Sequence, residues 1–265
     1  MTSGKSFFLW GILNATPDSF SDGDPLAGVD EFVARGLRLA GEGADFIDLG
    51  GESSRPGFSP ISADEEMDRV LPTLEALLAR TAVPISVDTR RATVAAAALA
   101  MGAVYVNDVF GLQGDGAMAQ TVAHFGAGVV AMHRREEILR RGDILEDVAA
   151  FWEKSLAIAA AAGIDPKKVL LDPGIGFAKT VEQNVAILRN LHRLCSAFPD
   201  REIFLGVSRK SVLGALCGEP DPRRRDLASV VVAQEARRCG VRHFRVHAVA
   251  MARQALELGD AIRGR

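Results

Sequence analysis

This chain predicts a single α/β domain over residues 1–265, folded as a (β/α)8 TIM barrel. Three observations lead there. Short apolar runs alternate with longer helical patterns at a spacing of roughly 25 to 40 residues, the mark of βα units on a parallel sheet. Eight such runs can be counted, which is the barrel number. Each run also ends on a polar residue or leads straight into one, and in a parallel barrel all strand C-termini open on the one face where barrel enzymes place their chemistry. An open doubly wound sheet is the runner-up, but it normally shows a Gly-rich dinucleotide turn, and no G-x-G-x-x-G occurs here.

Strand 1 is predicted at 7–13, FFLWGIL. After Lys5 it could imitate the apolar core of a signal peptide, yet it runs into NATPDSF with no small-residue cleavage site. Leu13 hands over to Asn14 and a loop rich in Gly, Pro and Ser, followed by a helix over 31–42. Strand 2, at 46–49, carries Asp48 and leads into GGESSRPGFSP, then a helix over 63–78. Strand 3, at 85–87, stops at Asp88 ahead of an Ala-rich helix over 93–101. Strands at 104–106 and 129–132 give way to Asn107 with Asp108 and to His133. The sixth, at 169–171, ends at Asp172 before Pro-Gly-x-Gly, the punctuation that stops a strand. Strands at 203–207 and 244–246 lead to Ser208-Arg209-Lys210 and to His247.

These endings suggest chemistry. A carboxylate such as Asp172, held in a tight turn, can accept two N–H bonds side by side from the amino-pyrimidinone edge of a flat heterocycle. As a helix N-cap it would stand eight residues too early for a helix starting at Thr180. Arg55, with Ser53 and Ser54, could grip an anion, and Arg245 and His247, both inward in a strand of period two, could hold it from the other side. The first two loops have the composition of lids over the mouth.

Composition narrows the partner. A net charge of −3, from 31 basic and 34 acidic residues without long single-sign blocks, gives no electrostatic reason to expect nucleic acid or an anionic membrane. A small molecule is the expected partner. Cys195, Cys217 and Cys239 are odd in number and lack C-x-x-C spacing, so neither a disulfide framework nor a zinc site is suggested, and a cytoplasmic location fits. No apolar run approaches the roughly 18 residues of a membrane span.

The motifs ILNATPDSFSDGD (12–24), DLGGESSRPG (48–57), SVDT (86–89), ND (107–108), LDPGIGFAK (171–179), SRKS (208–211) and RVH (245–247) resemble those of the dihydropteroate synthases in identity, order and spacing. The resemblance spans the chain. It implies a pterin-binding barrel in which Asp88, Asn107, Met132, Asp172 and Lys210 hold the pterin. It further implies that Asn14 coordinates Mg2+, and that Ser54, Arg55, Arg245 and His247 hold the pyrophosphate. Phe20, Pro56, Phe177 and Ser211 would shape an aminobenzoate site, and Lys210, Arg55, Arg245 and His247 would carry the catalysis. The family also suggests a homodimer through the later helices. Four places depart from its pattern: Ser54 stands for the usual Thr, Ala178 for a second glycine and Ala248 for an Asp, while the charged, helix-like RREEILRRG follows His133 where a short Met-, Gly- and Pro-containing loop is usual.

The activity so implied is the condensation of 6-hydroxymethyl-7,8-dihydropterin diphosphate with 4-aminobenzoate in folate biosynthesis. One rival is a pterin-binding methyltransferase of the methyltetrahydrofolate type, which should lack TPDSFSDG and SRKS. Another is a pterin-binding protein without catalysis, which would have no need of the pyrophosphate-side set Asn14, Arg55, Arg245 and His247.

Overall fold

The computed structural model describes residues 5–16, 25–52 and 60–264, apart from the side chains of 25–27. Eight parallel strands close into a barrel in chain order: β1 (Phe8–Asn14), β2 (Phe46–Gly50), β3 (Ile85–Asp88), β4 (Tyr105–Asp108), β5 (Gly128–Met132), β6 (Val169–Asp172), β7 (Glu202–Leu205) and β8 (His243–Val246). Between and after them run α1 (Pro25–Gly41), α2 (Ala63–Leu78), α3 (Ala92–Met101), α4 (Met118–His124), α5 (Ile144–Ala162), α6 (Val181–Arg189), α7 (Leu191–Ala197), α8 (Ser211–Cys217), α9 (Asp226–Arg238) and α10 (Val249–Ile262).

Strand alternation sorts the core into two. Outward residues such as Leu9, Leu13, Ile47, Leu49, Ile85, Val129 and Leu171 pack beneath the helices. Inward residues Phe8, Trp10, Val130, Leu170 and Phe204, with Phe46 and Tyr105, fill the barrel below the mouth. Trp10 stacks on Phe46 at 4.1 Å and meets Phe204 and Tyr105 edge-on at 5.1 and 5.2 Å, arrangements that suit the ring quadrupoles. Its indole N–H, buried here, donates to His243 Nδ1 at 3.1 Å. Gly128 makes room for Tyr105, since a Cβ there would run into the ring.

Four of the expected strands run on into the polar residues that follow them: Asn14, Asp88, Asp108 and Asp172 are all strand residues. The ladder is made by backbone groups, so polarity of the side chain does not end it; Asn14 pairs with Gly50, Gly50 with Asp88, and Met132 with Asp172. Strand 7, expected to reach 207, stops at Leu205, and the chain then turns so that Lys210 N–H reaches the Val207 carbonyl at 3.2 Å. The stretch 134–142 is not helical. Gly142, at φ 103, separates it from α5, and Asp143 caps that helix by accepting from Leu145 N–H at 2.7 Å.

Candidate active site

At the end of β6, Asp172 is fixed by its own turn. Oδ1 accepts the Gly174 N–H at 2.7 Å, and Gly174 takes φ 65 where a Cβ would strike the His133 carbonyl. The capping role belongs elsewhere: α6 begins with a capping box in which Thr180 accepts from Gln183 N–H at 3.2 Å. Asp172 Oδ2 is left facing the mouth. It lies 3.4 Å, and Lys210 Nζ 3.8 Å, from the point where a Cβ on Gly206 would stand, so the two charges converge over one open backbone position.

Lys210 reaches that point from the loop after β7. Its ammonium donates to the Ile175 carbonyl at 2.6 Å and sits 4.5 Å from the centre of the Phe177 ring, so the β6 loop supplies both its acceptor and its aromatic neighbour. Burial pulls Lys210 down to about 8, against the opposing pull of Asp172. Burial likewise raises Asp172, with Lys210 the first influence holding it down.

Behind this pair lies a continuous polar floor. Asn107 donates to Asp48 Oδ2 at 3.0 Å; Arg245 Nε reaches the same oxygen at 2.5 Å, and its Nη2 reaches Asp88 Oδ2 at 2.7 Å. Burial pushes the Asp88 carboxyl up to about 7; Arg245 pulls against that and Asp48 adds to it. Two of the three guanidinium nitrogens of Arg245 are thus committed to carboxylates, and only Nη1 lacks an acceptor among the described residues. Asp48, which accepts from both Asn107 and Arg245, is not among the residues the sequence assigns to the site. It was visible as a strand-end acid, but nothing in the chain order shows that it lies under Arg245 and Asn107, and its Oδ1 is buried with no partner among the described residues.

Met132 is buried beside Asp172 in register. Asn14 ends β1 at the rim, half-buried. His247 lies one residue beyond β8 rather than inside it, where its Nδ1 is 3.0 Å from Ser208 Oγ. Phe177 is half-buried at the mouth, whereas Ser211 is the exposed first residue of α8. Phe20, Ser54, Arg55 and Pro56 fall outside the described residues. The base of the second loop is described: Glu52 accepts from Ile61 N–H at 3.1 Å, from Arg90 at 2.9 Å and from Arg91 at 3.1 Å. Burial opposes the charge on Glu52, but the bonds from Arg90 and Arg91 outweigh it and hold the carboxyl down at about 2.

Two of the strand-end polar residues do not join the mouth. Asp108 points outward and accepts from Phe110 and Leu112 N–H at 2.9 and 2.7 Å, shaping its own loop. His133, one residue past the inward Met132, faces α5 and meets Asp147 at 3.0 Å. Burial takes it down to about 4, so it is neutral at physiological pH. The expectation that every strand end converges fails at these two for one reason: side chains alternate, and an odd step along the strand leaves the barrel.

Lys179 was not singled out either. Its ammonium is buried and donates to the carbonyls of Gly174 at 2.8 Å and Phe177 at 3.2 Å, tying together the loop that carries Asp172's turn and Phe177. Burial lowers it to about 7, and Asp172 pulls the other way.

Known proteins resemble this chain in sequence and in fold. Residues 10–247 match the family of pterin binding enzymes. The chain is 38% identical, over 95% of its length and 87% of the relative's, to a dihydropteroate synthase of Bacillus subtilis. It is 36% identical to one of Synechocystis, over 98% of this chain and 91% of that one. Among solved structures, a Clostridium difficile dihydropteroate synthase in the presence of pteroic acid superposes with a TM-score of 0.96 at 39% identity, over 100% of both chains. A Xanthomonas albilineans dihydropteroate synthase with 4-aminobenzoic acid gives 0.93 at 41%, over 97% of this chain and 93% of that one.

Proposed function

The chain belongs to the pterin-binding enzymes and, among them, to the dihydropteroate synthases, and on that premise we propose how its residues perform the reaction. It is a transferase that condenses 6-hydroxymethyl-7,8-dihydropterin diphosphate with 4-aminobenzoate to give 7,8-dihydropteroate and pyrophosphate. The observation that carries the reading of the site is the convergence of Asp172 and Lys210 over Gly206, backed by the Asn107, Asp48, Arg245 and Asp88 chain.

In this reading Asp172 Oδ2 and the floor carboxylates accept the N–H groups of the pterin edge, with Asn107 and Met132 against the ring and Lys210 beside it. Cleavage of the C–O bond sends its electron pair to the departing pyrophosphate, and the pterin ring delocalises the positive charge left on its methylene carbon. The arylamine nitrogen then forms the new C–N bond and releases a proton, so no covalent enzyme intermediate is needed. Arg55, Arg245 through Nη1, His247 and Ser54 stabilise the leaving group, interactions that count for most where charge develops. Phe20, Pro56, Phe177 and Ser211 are assigned to the arylamine.

Mg2+ belongs to the same proposal. Asn14 stands at the rim of β1 with no side-chain hydrogen bond to a described residue. One amide oxygen, completed by diphosphate oxygens and water, is a ligand set that Mg2+ accepts. When bound, the ion neutralises charge on the leaving group. Asn14 would orient it.

A homodimer and a cytoplasmic location complete the reading. Leu227 and Val231 on α9 and Leu258 and Ile262 on α10 are exposed apolar side chains one turn apart on their helices, which supports an interface there. The three cysteines are free thiols, as a reducing compartment favours. No described helix is long and apolar enough to cross a membrane.

The decisive experiment mixes the protein with the pterin diphosphate, 4-aminobenzoate and Mg2+ and follows pyrophosphate and dihydropteroate together. Equal release of both is expected. No release with all three present, or pyrophosphate release that ignores the arylamine, overturns the assignment.

A further inference from the structure

The residue before Lys210 has an unusual backbone. Arg209 takes φ 61, and among the described residues only Leu112 and Ala178 share a left-handed conformation without being glycine. A side chain adopts that conformation at a cost, so it persists where its surroundings hold it. Here one helix end does the holding. Arg209 N–H donates to Ser229 Oγ at 3.0 Å, and its carbonyl accepts from Arg225 Nη1 at 3.0 Å. Its guanidinium meets the two oxygens of Asp226 with Nε at 2.6 Å and Nη2 at 2.7 Å. Asp226 and Ser229 belong to the first turn of α9, and Arg225 is the residue that precedes it.

The anchors are themselves fixed. Ser229 and Arg225 are buried, and Ser229 Oγ donates to the Arg225 carbonyl at 2.7 Å. Arg225 also donates to the carbonyls of Glu219 at 2.8 Å and Pro220 at 2.6 Å, so it cannot follow Arg209 if the turn moves. The pair with Asp226 uses both carboxylate oxygens and the planar fork, a geometry that sets orientation as well as distance. Both of its side chains are partly exposed, which keeps its net contribution to folding small. What it supplies is direction.

Two neighbouring cations part at this turn. The Arg209 guanidinium runs to α9, whereas the Lys210 ammonium runs to the Ile175 carbonyl and converges with Asp172 over Gly206. The Lys210 backbone is extended, at φ −68 and ψ 156, and its N–H closes the turn onto the Val207 carbonyl. With the Arg209 fork released, the left-handed turn keeps its cost and loses its only side-chain anchor, and Lys210 loses the approach that brings it to Asp172. We propose that Arg209 is a positioning residue for the reaction: clamped to the start of α9 by Asp226, Ser229 and Arg225, it holds the turn that aims Lys210 at Asp172. The proposal rests on the role given to Lys210 above.

The test is a double-variant cycle read by calorimetric titration of pteroate, which does not depend on turnover. Arg209→Gly suits it, because glycine takes the left-handed conformation freely and only the clamp is removed. In the unaltered background Arg209→Gly is expected to weaken pteroate binding about tenfold, the scale of coupling between residues in one network. In a Lys210→Ala background it should cost close to nothing, since the group it aims is gone. Asp226→Asn reaches the same clamp from α9 and should repeat the pattern, while Arg209→Lys, which keeps the charge but not the fork, should retain part of the affinity. An equal loss in both backgrounds refutes the assignment, because Arg209 would then act without Lys210. So does a lower melting temperature with unchanged affinity, which would make the clamp a matter of stability alone. If Lys210→Ala by itself binds pteroate as tightly as the parent, the role of Lys210 falls first, whereas a loss in Lys210→Ala with none in Arg209→Gly and Asp226→Asn removes only Arg209.

Discussion

One oxygen of Asp172 is occupied by the Gly174 N–H, so the carboxylate cannot turn away from a ligand that needs the other. Replacing Asp172 with Asn keeps the shape and sets a donor against the donors of the pterin edge. The expected loss of pterin affinity is about 2–4 kcal/mol, the scale of a broken charge-assisted bond with a buried donor left unpaired. Calorimetric titration with a pterin analogue measures it, and an unchanged affinity would retire the role. Lys210 invites a test by pH. With burial holding it near 8, the ammonium is charged below that pH and neutral above it. A role that needs the charge therefore fades as pH rises, and kcat/KM should fall on the alkaline side through about 8. Lys210→Arg, whose group stays protonated, should move that limb upward at some cost in rate. An identical alkaline limb in Lys210→Arg would assign the titration to another group.

Among the elements, the loop after β6 shows how a local irregularity is held. Ala178 takes φ 46, a left-handed conformation that a side chain adopts at a cost, in the position where related motifs place glycine. Lys179, next in sequence, grips the carbonyls of Gly174 and Phe177 across the same loop. Ala178→Gly should relieve the strain and stabilise the fold by about 1 kcal/mol, less the added freedom of glycine in the unfolded chain. Urea unfolding reads the change directly; a variant less stable than its parent would show that the Ala178 methyl group contributes more through packing than it costs in strain. The fifth loop is the converse case. Its run of Arg and Glu has helix-forming composition, yet Gly142 and the Asp143 cap start the helix later and leave Arg134 free to lie over Phe110.

For the molecule as a whole, closure of the barrel leaves the strands no open edge, so association cannot proceed by adding a strand to the sheet. Leu227, at 70% exposure, and Ile262, at 77%, are the most exposed of the large apolar residues described. If α9 and α10 form the proposed dimer interface, the double variant Leu227→Glu, Leu258→Glu should sediment as a monomer at concentrations where the parent is a dimer, with its melting curve showing that the barrel remains folded. A parent that is itself monomeric at such concentrations ends the dimer proposal. A parent and variant that are equally dimeric move the interface to another face.

The repeat of apolar runs and helical patterns was enough to set the class of fold, because burial of alternate strand faces and one helix stripe depends on residue order alone. It also marked Asp88, Asn107, Asp172, Lys210 and Arg245, since strand ends in a parallel barrel share one face. Three things were decided only in three dimensions. Asp48 joins Arg245 and Asn107 across the barrel, a contact between positions 197 residues apart in the case of Arg245. His133 and Asp108 leave the mouth because one residue of register reverses a side chain. Arg134 comes to lie against Phe110 and Phe177, which belong to the loops after two other strands. In each case the deciding quantity is a distance set by strand order and barrel closure, and no local pattern in the chain encodes it.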